Sequence, residues 1–286
     1  MTREGSMHII KKFVVDIFLL ALLTFCIYTT VWIWAPFERG FFCGDESLMF
    51  PYKPDTVSTP MLRLVSLVLP ITTFLVCEFV LLRKKVDDKQ IFNMCIPAWV
   101  RGFYCSLASF SFGCCFIELA INVSKNVIGR LRPHFFDLCK PSIDCSLPEW
   151  QKRYIQPHEY HCLGDQTDKF TDMHMSFLSG HSAWSAYAML YLALYLEKRM
   201  IWRGTRGLRH SLQFAAMMVS WFIALSRVSD YKHHWSDVLA GYSLGLAFAI
   251  LVWRWGTDIL EPKSKHKPIP LHDSTRTEQR QTALPA

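Results

Sequence analysis

The sequence predicts an all-α, polytopic membrane protein with six transmembrane helices. Of its 286 residues 51% are hydrophobic, and these come in blocks instead of at amphipathic spacing, the pattern of a chain whose solvent is lipid. The basic residues gather in short runs beside alternate blocks, as membrane orientation requires. The net charge of +7 is therefore read as a topology signal, and no nucleic-acid partner is implied.

Residues 1–12 read as a cytosolic N-terminus, 13–260 as the six-span domain and 261–286 as a disordered cytosolic tail. The tail is polar, with Pro262, Pro268, Pro270 and Pro285 and no apolar periodicity. The first block, Phe13 to Trp34, has basic flanks like a signal peptide but lacks a small-residue cleavage site, so it is kept as a span. The others run from Leu62 to Leu82, Phe103 to Val123, Ala183 to Leu196, Leu212 to Leu225 and Val238 to Trp255. The fourth and fifth are short for ~30 Å of hydrocarbon at ~1.5 Å per residue and need their polar ends counted as helix. Pro70 is expected to kink the second span. Asp16, Arg63, Glu78 and Glu118 lie in or near spans, where interfacial placement or an interhelical pair is expected. Cys26, Cys77, Cys105, Cys114 and Cys115 read as small core residues, and no metal or cofactor is implied.

Charge sets the orientation. Residues 1–12, 83–101, 197–210 and the tail from Arg254 total +11, against −2 for 35–60 and balance in 125–178 and 227–237. Both termini are therefore expected in the cytosol, with the other three loops outside or in a lumen. Cys43, Cys139, Cys145 and Cys162 then face an oxidising compartment, with three disulfide pairings open. The only Asn-x-Ser, Asn122-Val123-Ser124, falls in a span, so no N-glycan is expected.

Three polar clusters fall at outer ends of spans. In KNVIGRLRP, Lys125 and Arg132 are seven residues apart, a spacing that in a helix returns to nearly the same face about 10 Å further along. Cations here oppose the inward bias, which points to an anionic ligand, against lipid-headgroup anchoring by Lys125, Arg130 and Arg132. In SFLSGHSAW, Ser179, Gly180 and His181 open a helix, where free N–H groups and the positive dipole end favour a phosphate; read as structure alone, the tripeptide is a helix cap. In SRVSDYKHHWSD, a helix beginning near His233 would bring Asp237 onto the face of His233 and hold its imidazole in one tautomer, with Arg227 nearby. Independent helix caps have no reason to supply three cations, two histidines and a carboxylate at one membrane level. Phosphoryl transfer does, because it needs preorganised cations, a nucleophile and a proton donor. The active site is thus expected at the outer or lumenal membrane face.

These residues resemble the motifs of the lipid phosphate phosphatases, in the type 2 phosphatidic acid phosphatase superfamily. Lys-x6-Arg-Pro is matched by Lys125 to Arg132-Pro133. Pro-Ser-Gly-His is matched by Ser179-Gly180-His181, with Leu178 where proline is common, and Ser-Arg-x5-His-x3-Asp by Ser226, Arg227, His233 and Asp237. PFERGFFCGDES and the six-span layout extend the likeness, which is greatest to animal type 1 lipid phosphate phosphohydrolases. The resemblance implies His233 as nucleophile through a phosphohistidine, Asp237 orienting it, and His181 as general acid and base. Lys125, Arg132, Ser179, Gly180 and Arg227 would bind phosphate without a metal. It also implies lipid phosphate substrates in the bilayer (phosphatidate, lysophosphatidate, sphingosine 1-phosphate, ceramide 1-phosphate), self-association into a homo-oligomer and a plasma-membrane or endomembrane address. His234 is a second histidine but lacks the Arg227 spacing and an i+4 carboxylate. The alternatives are a phosphatase of a sugar phosphate or polyprenyl diphosphate, and a catalytically silent receptor or scaffold.

Overall fold

The computed structural model describes residues 3–84, 89–91, 94–200, 204 and 206–260, so the tail expected to be disordered lies outside the described residues. The described chain is mostly helical: α1 (Arg3–Trp32), α2 (Thr59–Arg63), α3 (Leu69–Leu82), α4 (Ala98–Ile128), the short α5 (Phe135–Cys139) and α6 (Phe170–Met173), then α7 (Gly180–Arg199), α8 (Arg206–Ser229) and α9 (Trp235–Leu260). The short fifth block grows at both ends into the 24 residues of α8, as the sequence required. Disruption at Pro70 takes the form of a π-helical turn, Leu64–Val68, which joins α2 to α3 just before the proline. A proline lacks the N–H that an α-helical bond to the preceding turn needs, and a wider turn absorbs the mismatch.

Among the described residues, five stretches are long and apolar enough to cross a membrane: Ile10–Trp32, Thr59–Leu82, Ala98–Ile128, Arg206–Ser229 and Trp235–Gly256. The remaining long helix, α7, contains the fourth block expected from sequence. It packs against α3, α4, α8 and α9, and Ala183, Ala186, Tyr187, Ala188 and Met189 are fully buried. Its solvent is protein, so it carries serines and tyrosines that a lipid-facing helix would not. By contrast α1, with Phe18 and Phe25 exposed, packs on α4 and turns its apolar surface outward.

Glycines let α9 approach α7 closely. A Cβ on Gly241 would lie 2.5 Å from the Ser179 carbonyl oxygen, and one on Gly245 would lie 2.3 Å from that of Ala183. This small-xxx-small stripe allows backbone contact where apolar burial supplies no driving force between helices.

Three of the four charged residues expected in or near spans, Asp16, Glu78 and Glu118, have partners on another helix. Glu78, fully buried, meets Arg199 at 2.8 Å and accepts from the Tyr195 hydroxyl at 3.0 Å. Asp16 accepts from the Tyr104 hydroxyl at 2.7 Å, and Glu118 accepts from Trp184 Nε1 at 2.5 Å.

Above one end of the bundle the loops form a second core. Strand β1 (Phe41–Phe42) pairs antiparallel with β4 (Tyr154–Ile155), whereas β2 (Lys89–Ile91) and β3 (Met94–Ile96) form a hairpin between α3 and α4. Phe41 meets the rings of Phe135, Phe136 and Tyr160. Of the three possible pairings, the disulfides are Cys43–Cys145 and Cys139–Cys162.

Candidate active site

The site is built between this loop layer and the helix ends beneath it. At the end of α8 the Arg227 carbonyl accepts from both Lys232 N (3.1 Å) and His233 N (3.2 Å), closing a tight turn. Tyr231 takes a left-handed φ of 56° there, and His134 Nδ1 donates to its carbonyl at 2.8 Å. His134 is 1% exposed, and burial pushes its pKa down to about 4, so it holds the turn as a neutral donor.

That turn presents His233, itself 4% exposed. Its Nδ1 lies 2.7 Å from the Ser176 carbonyl oxygen. A carbonyl only accepts, so Nδ1 carries the proton and Nε2 keeps its lone pair. Burial, then the charges of Arg132 and Lys125, hold the imidazole well below its usual pKa, which favours the neutral ring.

The spacing argument put Asp237 on His233, and the geometry corrects this. Helix α9 starts at Trp235, so His233 precedes it and shares no helical face with Asp237. The fully buried Asp237 carboxylate accepts from Arg130 at 2.5 Å, from the Ser176 hydroxyl at 2.6 Å and from His234 N at 3.1 Å. The last contact is half of a capping box at the start of α9. Asp237 therefore reaches His233 through Ser176, whose hydroxyl it grips and whose carbonyl holds the ring.

A second correction concerns Lys125 and Arg132. Helix α4 ends at Ile128, and Gly129 follows in the left-handed region at φ 56°, where a Cβ would strike the Phe37 carbonyl oxygen at 1.9 Å. Arg132 is thus brought round by a turn rather than along a helix face, yet both cations still act on His233. Arg132 donates to Asp172 Oδ1 at 2.6 Å and to its carbonyl at 2.9 Å. Arg227, 1% exposed, meets Asp55 at 3.0 Å and Asp230 at 2.8 Å.

At the start of α7, Ser179 is the N-cap, and its buried hydroxyl accepts from the Ser182 hydroxyl at 3.0 Å. Its backbone N–H donates to the Asp237 carbonyl at 3.1 Å, which ties the second cluster to the third. A Cβ on Gly180 would point at Lys125 Nζ, 3.9 Å away, so glycine leaves the space between the helix N-terminus and that ammonium clear. His181 follows, and its Nε2 is buried with no hydrogen-bond partner among the described residues. A cavity of about 250 Å³ opens beside Lys125, Gly180 and His181.

Lys125, Arg132, His181 and His233 thus converge from three segments, with Arg227 acting on His181, while Ser179 and Asp237 stand behind as fasteners. Sequence reasoning missed Ser176, Asp172, Asp55, Asp230 and His134. Ser176 works partly through its carbonyl, which every residue has, and Asp55 comes from a proline-rich loop about 170 residues from Arg227.

The three clusters fall within a single match: the PAP2 superfamily model covers residues 106–260. The chain belongs to the PAP2 superfamily. Relatives agree with the assignment. A Drosophila melanogaster protein named "Putative phosphatidate phosphatase" is 37% identical over all of this chain and 77% of its own length. Rattus norvegicus phospholipid phosphatase 1 is 38% identical over 87% of this chain and 85% of its own. Homo sapiens phospholipid phosphatase 2 is 34% identical over 86% and 82%. Asp55, the loop partner of Arg227, lies outside the matched PAP2 residues.

Proposed function

We propose that this PAP2 chain is a metal-independent phosphatase of lipid phosphate monoesters that works through a phosphohistidine. The observation that carries the reading is the pair of histidine nitrogens: His233 Nε2, with its lone pair available, and His181 Nε2, buried without a partner, beside Lys125 and Arg132. In the first step His233 Nε2 attacks phosphorus, the P–N bond forms, the P–O bond to the lipid breaks, and His181 gives its proton to the departing alkoxide. In the second, His181 takes a proton from water, whose oxygen attacks phosphorus; the P–N bond breaks and inorganic phosphate leaves. Lys125, Arg132, Arg227 and the Gly180 N–H neutralise the phosphoryl oxygens in both steps. Arg227 and Arg132 exchange Asp55 and Asp172 for the phosphoryl oxygens of the substrate.

The names of the relatives support phosphatidate and phospholipids as the substrate class, and the reading extends it to lysophosphatidate, sphingosine 1-phosphate and ceramide 1-phosphate. On this reading α7 is the fourth of six spans, both termini are cytosolic, and the disulfide-bearing loops face the outside of the plasma membrane or a lumen; the charge bias supports this orientation. A phosphate-release panel over the four lipids and glucose 6-phosphate, with wild type, His233→Ala and an EDTA arm, tests the reading. Release from the lipids by wild type alone, indifferent to EDTA, is expected. Activity retained in His233→Ala, lost in EDTA, or confined to glucose 6-phosphate overturns it.

A further inference from the structure

The cavity beside His181 has walls that a purely hydrocarbon occupant would not call for. It is lined at one end by Lys125, Gly180 and His181 and further in by Ser66, Glu118 and Asn122. On the lipid phosphatase reading, on which this inference rests, His181 protonates the departing lipid oxygen, so the carbons attached to that oxygen enter this cavity. Ser66 is fully buried, and its hydroxyl, on the cavity wall in the π-helical turn, has no hydrogen-bond partner among the described residues. Buried hydroxyls are almost always satisfied, so an unsatisfied one facing a cavity points to a ligand group.

Glu118 supplies the second element. Trp184 Nε1 donates to one of its oxygens at 2.5 Å and Asn122 Nδ2 to the other at 3.4 Å, which fixes the carboxylate and still leaves acceptor capacity on both oxygens. Glu118 stands two turns of α4, roughly 10 Å, from Lys125. A phosphate on Lys125, two bonded carbons and a hydrogen bond at each end cover about that length. Arg63 also lines the cavity, but the open capacity beside Ser66 is on the Glu118 carboxylate, an acceptor that matches a donor on the substrate.

We propose that Glu118, with Ser66 beside it, is a specificity pocket for a hydrogen-bond donor on the lipid carbon next to the one that bears the phosphate. The donor is a hydroxyl or an ammonium. Lipid monoesters with that group free are favoured over those in which it is missing or acylated, and Asn122 and Trp184 are positioning residues that hold the carboxylate.

The test uses full-length protein in mixed detergent micelles, with lysophosphatidate, whose 2-hydroxyl is free, and its 2-deoxy analogue as paired substrates. Wild type is expected to show a kcat/KM ratio of roughly tenfold or more in favour of the hydroxyl compound, the discrimination of one hydrogen bond to a charged group. Glu118→Gln, which keeps an oxygen for its neighbours, is expected to bring the ratio below about threefold, and Ser66→Ala to lower it independently. A wild-type ratio near one, or a Glu118→Gln protein that loses activity on both substrates with the ratio intact, overturns the pocket. Phosphate release from neither compound overturns the phosphatase reading itself, an outcome distinct from a flat ratio.

Discussion

Asp237→Asn separates two accounts of how the nucleophile is held. If Asp237 acts on His233 through Ser176, the substitution weakens three bonds at once: those from Arg130, the Ser176 hydroxyl and His234 N. The Ser176 tether is the one that matters for chemistry, since the Ser176 carbonyl orients the His233 ring. A hydrogen bond to a charged group contributes about 1.5–3 kcal/mol, and each ~1.4 kcal/mol is tenfold in rate, so kcat should fall roughly 10- to 150-fold with KM little changed. Ser176→Ala keeps the carbonyl and loses only the hydroxyl, and should share most of that loss. Phosphate release from a lipid monoester, measured for both single variants and the double variant, forms a double-mutant cycle. The expected coupling makes the double variant about as slow as Asp237→Asn alone. Full activity in Ser176→Ala, or effects that multiply in the double variant, would refute the relay. Trapping of phosphoenzyme in acid-quenched samples adds a check: the slow step should be formation of the P–N bond, with less intermediate accumulated.

Other consequences can be measured on the same preparations. Gly245→Leu places side-chain atoms against the Ala183 carbonyl, where even a Cβ would lie at 2.3 Å; overpacking of this kind costs about 1–3 kcal/mol or more and should appear as a lower thermal midpoint in detergent. The Cys43–Cys145 bridge joins residues 102 apart and the Cys139–Cys162 bridge residues 23 apart, so chain-entropy arguments give about 4.7 and about 3.4 kcal/mol. Cys43→Ser/Cys145→Ser should therefore lower the unfolding midpoint more than Cys139→Ser/Cys162→Ser, a ranking that thermal scans with and without reductant check. Acidification should weaken the fold. His134, with a folded pKa of about 4, and His233, also depressed, stay neutral while the unfolded chain takes up protons near pH 6.5. The His134 contribution is present above about 6.5 and lost as pH falls toward 4, at about 1.4 kcal/mol per pH unit, and the His233 contribution falls in the same direction. Midpoints at pH 7, 6 and 5 should drop, and His134→Gln should flatten the slope.

Much of the fold was legible because lipid-facing helices announce themselves through apolar blocks: α4 and α9 contain the stretches expected of them, and α1 stops two residues short of Trp34. The fourth block was the least legible. Helix α7 lies among other helices, so its Ser182, Ser185, Tyr187 and Tyr195 reflect protein neighbours and dilute the signal. In the site, residue types at fixed spacing pointed to Lys125, Arg132, Gly180, His181, Arg227 and His233, which the fold brings near one another. What spacing could not show was connection. Gly129 turns the chain before Arg132, Asp237 joins His233 only through Ser176, and the carboxylates on Arg132 and Arg227 come from loops with no periodic signal.

The burial of α7 also bears on how the protein is made. A segment whose tyrosines find their partners on neighbouring helices, Tyr187 on the Phe110 carbonyl and Tyr195 on Glu78, gains little by entering hydrocarbon alone, and insertion from the chain is weakest where polar groups lack partners. Its closest partners, α8 and α9, lie downstream, with Gly241 and Gly245 of α9 seated on its backbone. On the six-span reading, the helix that carries His181 is committed to the bilayer only when the last third of the chain arrives to receive it. A truncation after α7 would then lose that helix from the membrane along with the downstream residues themselves.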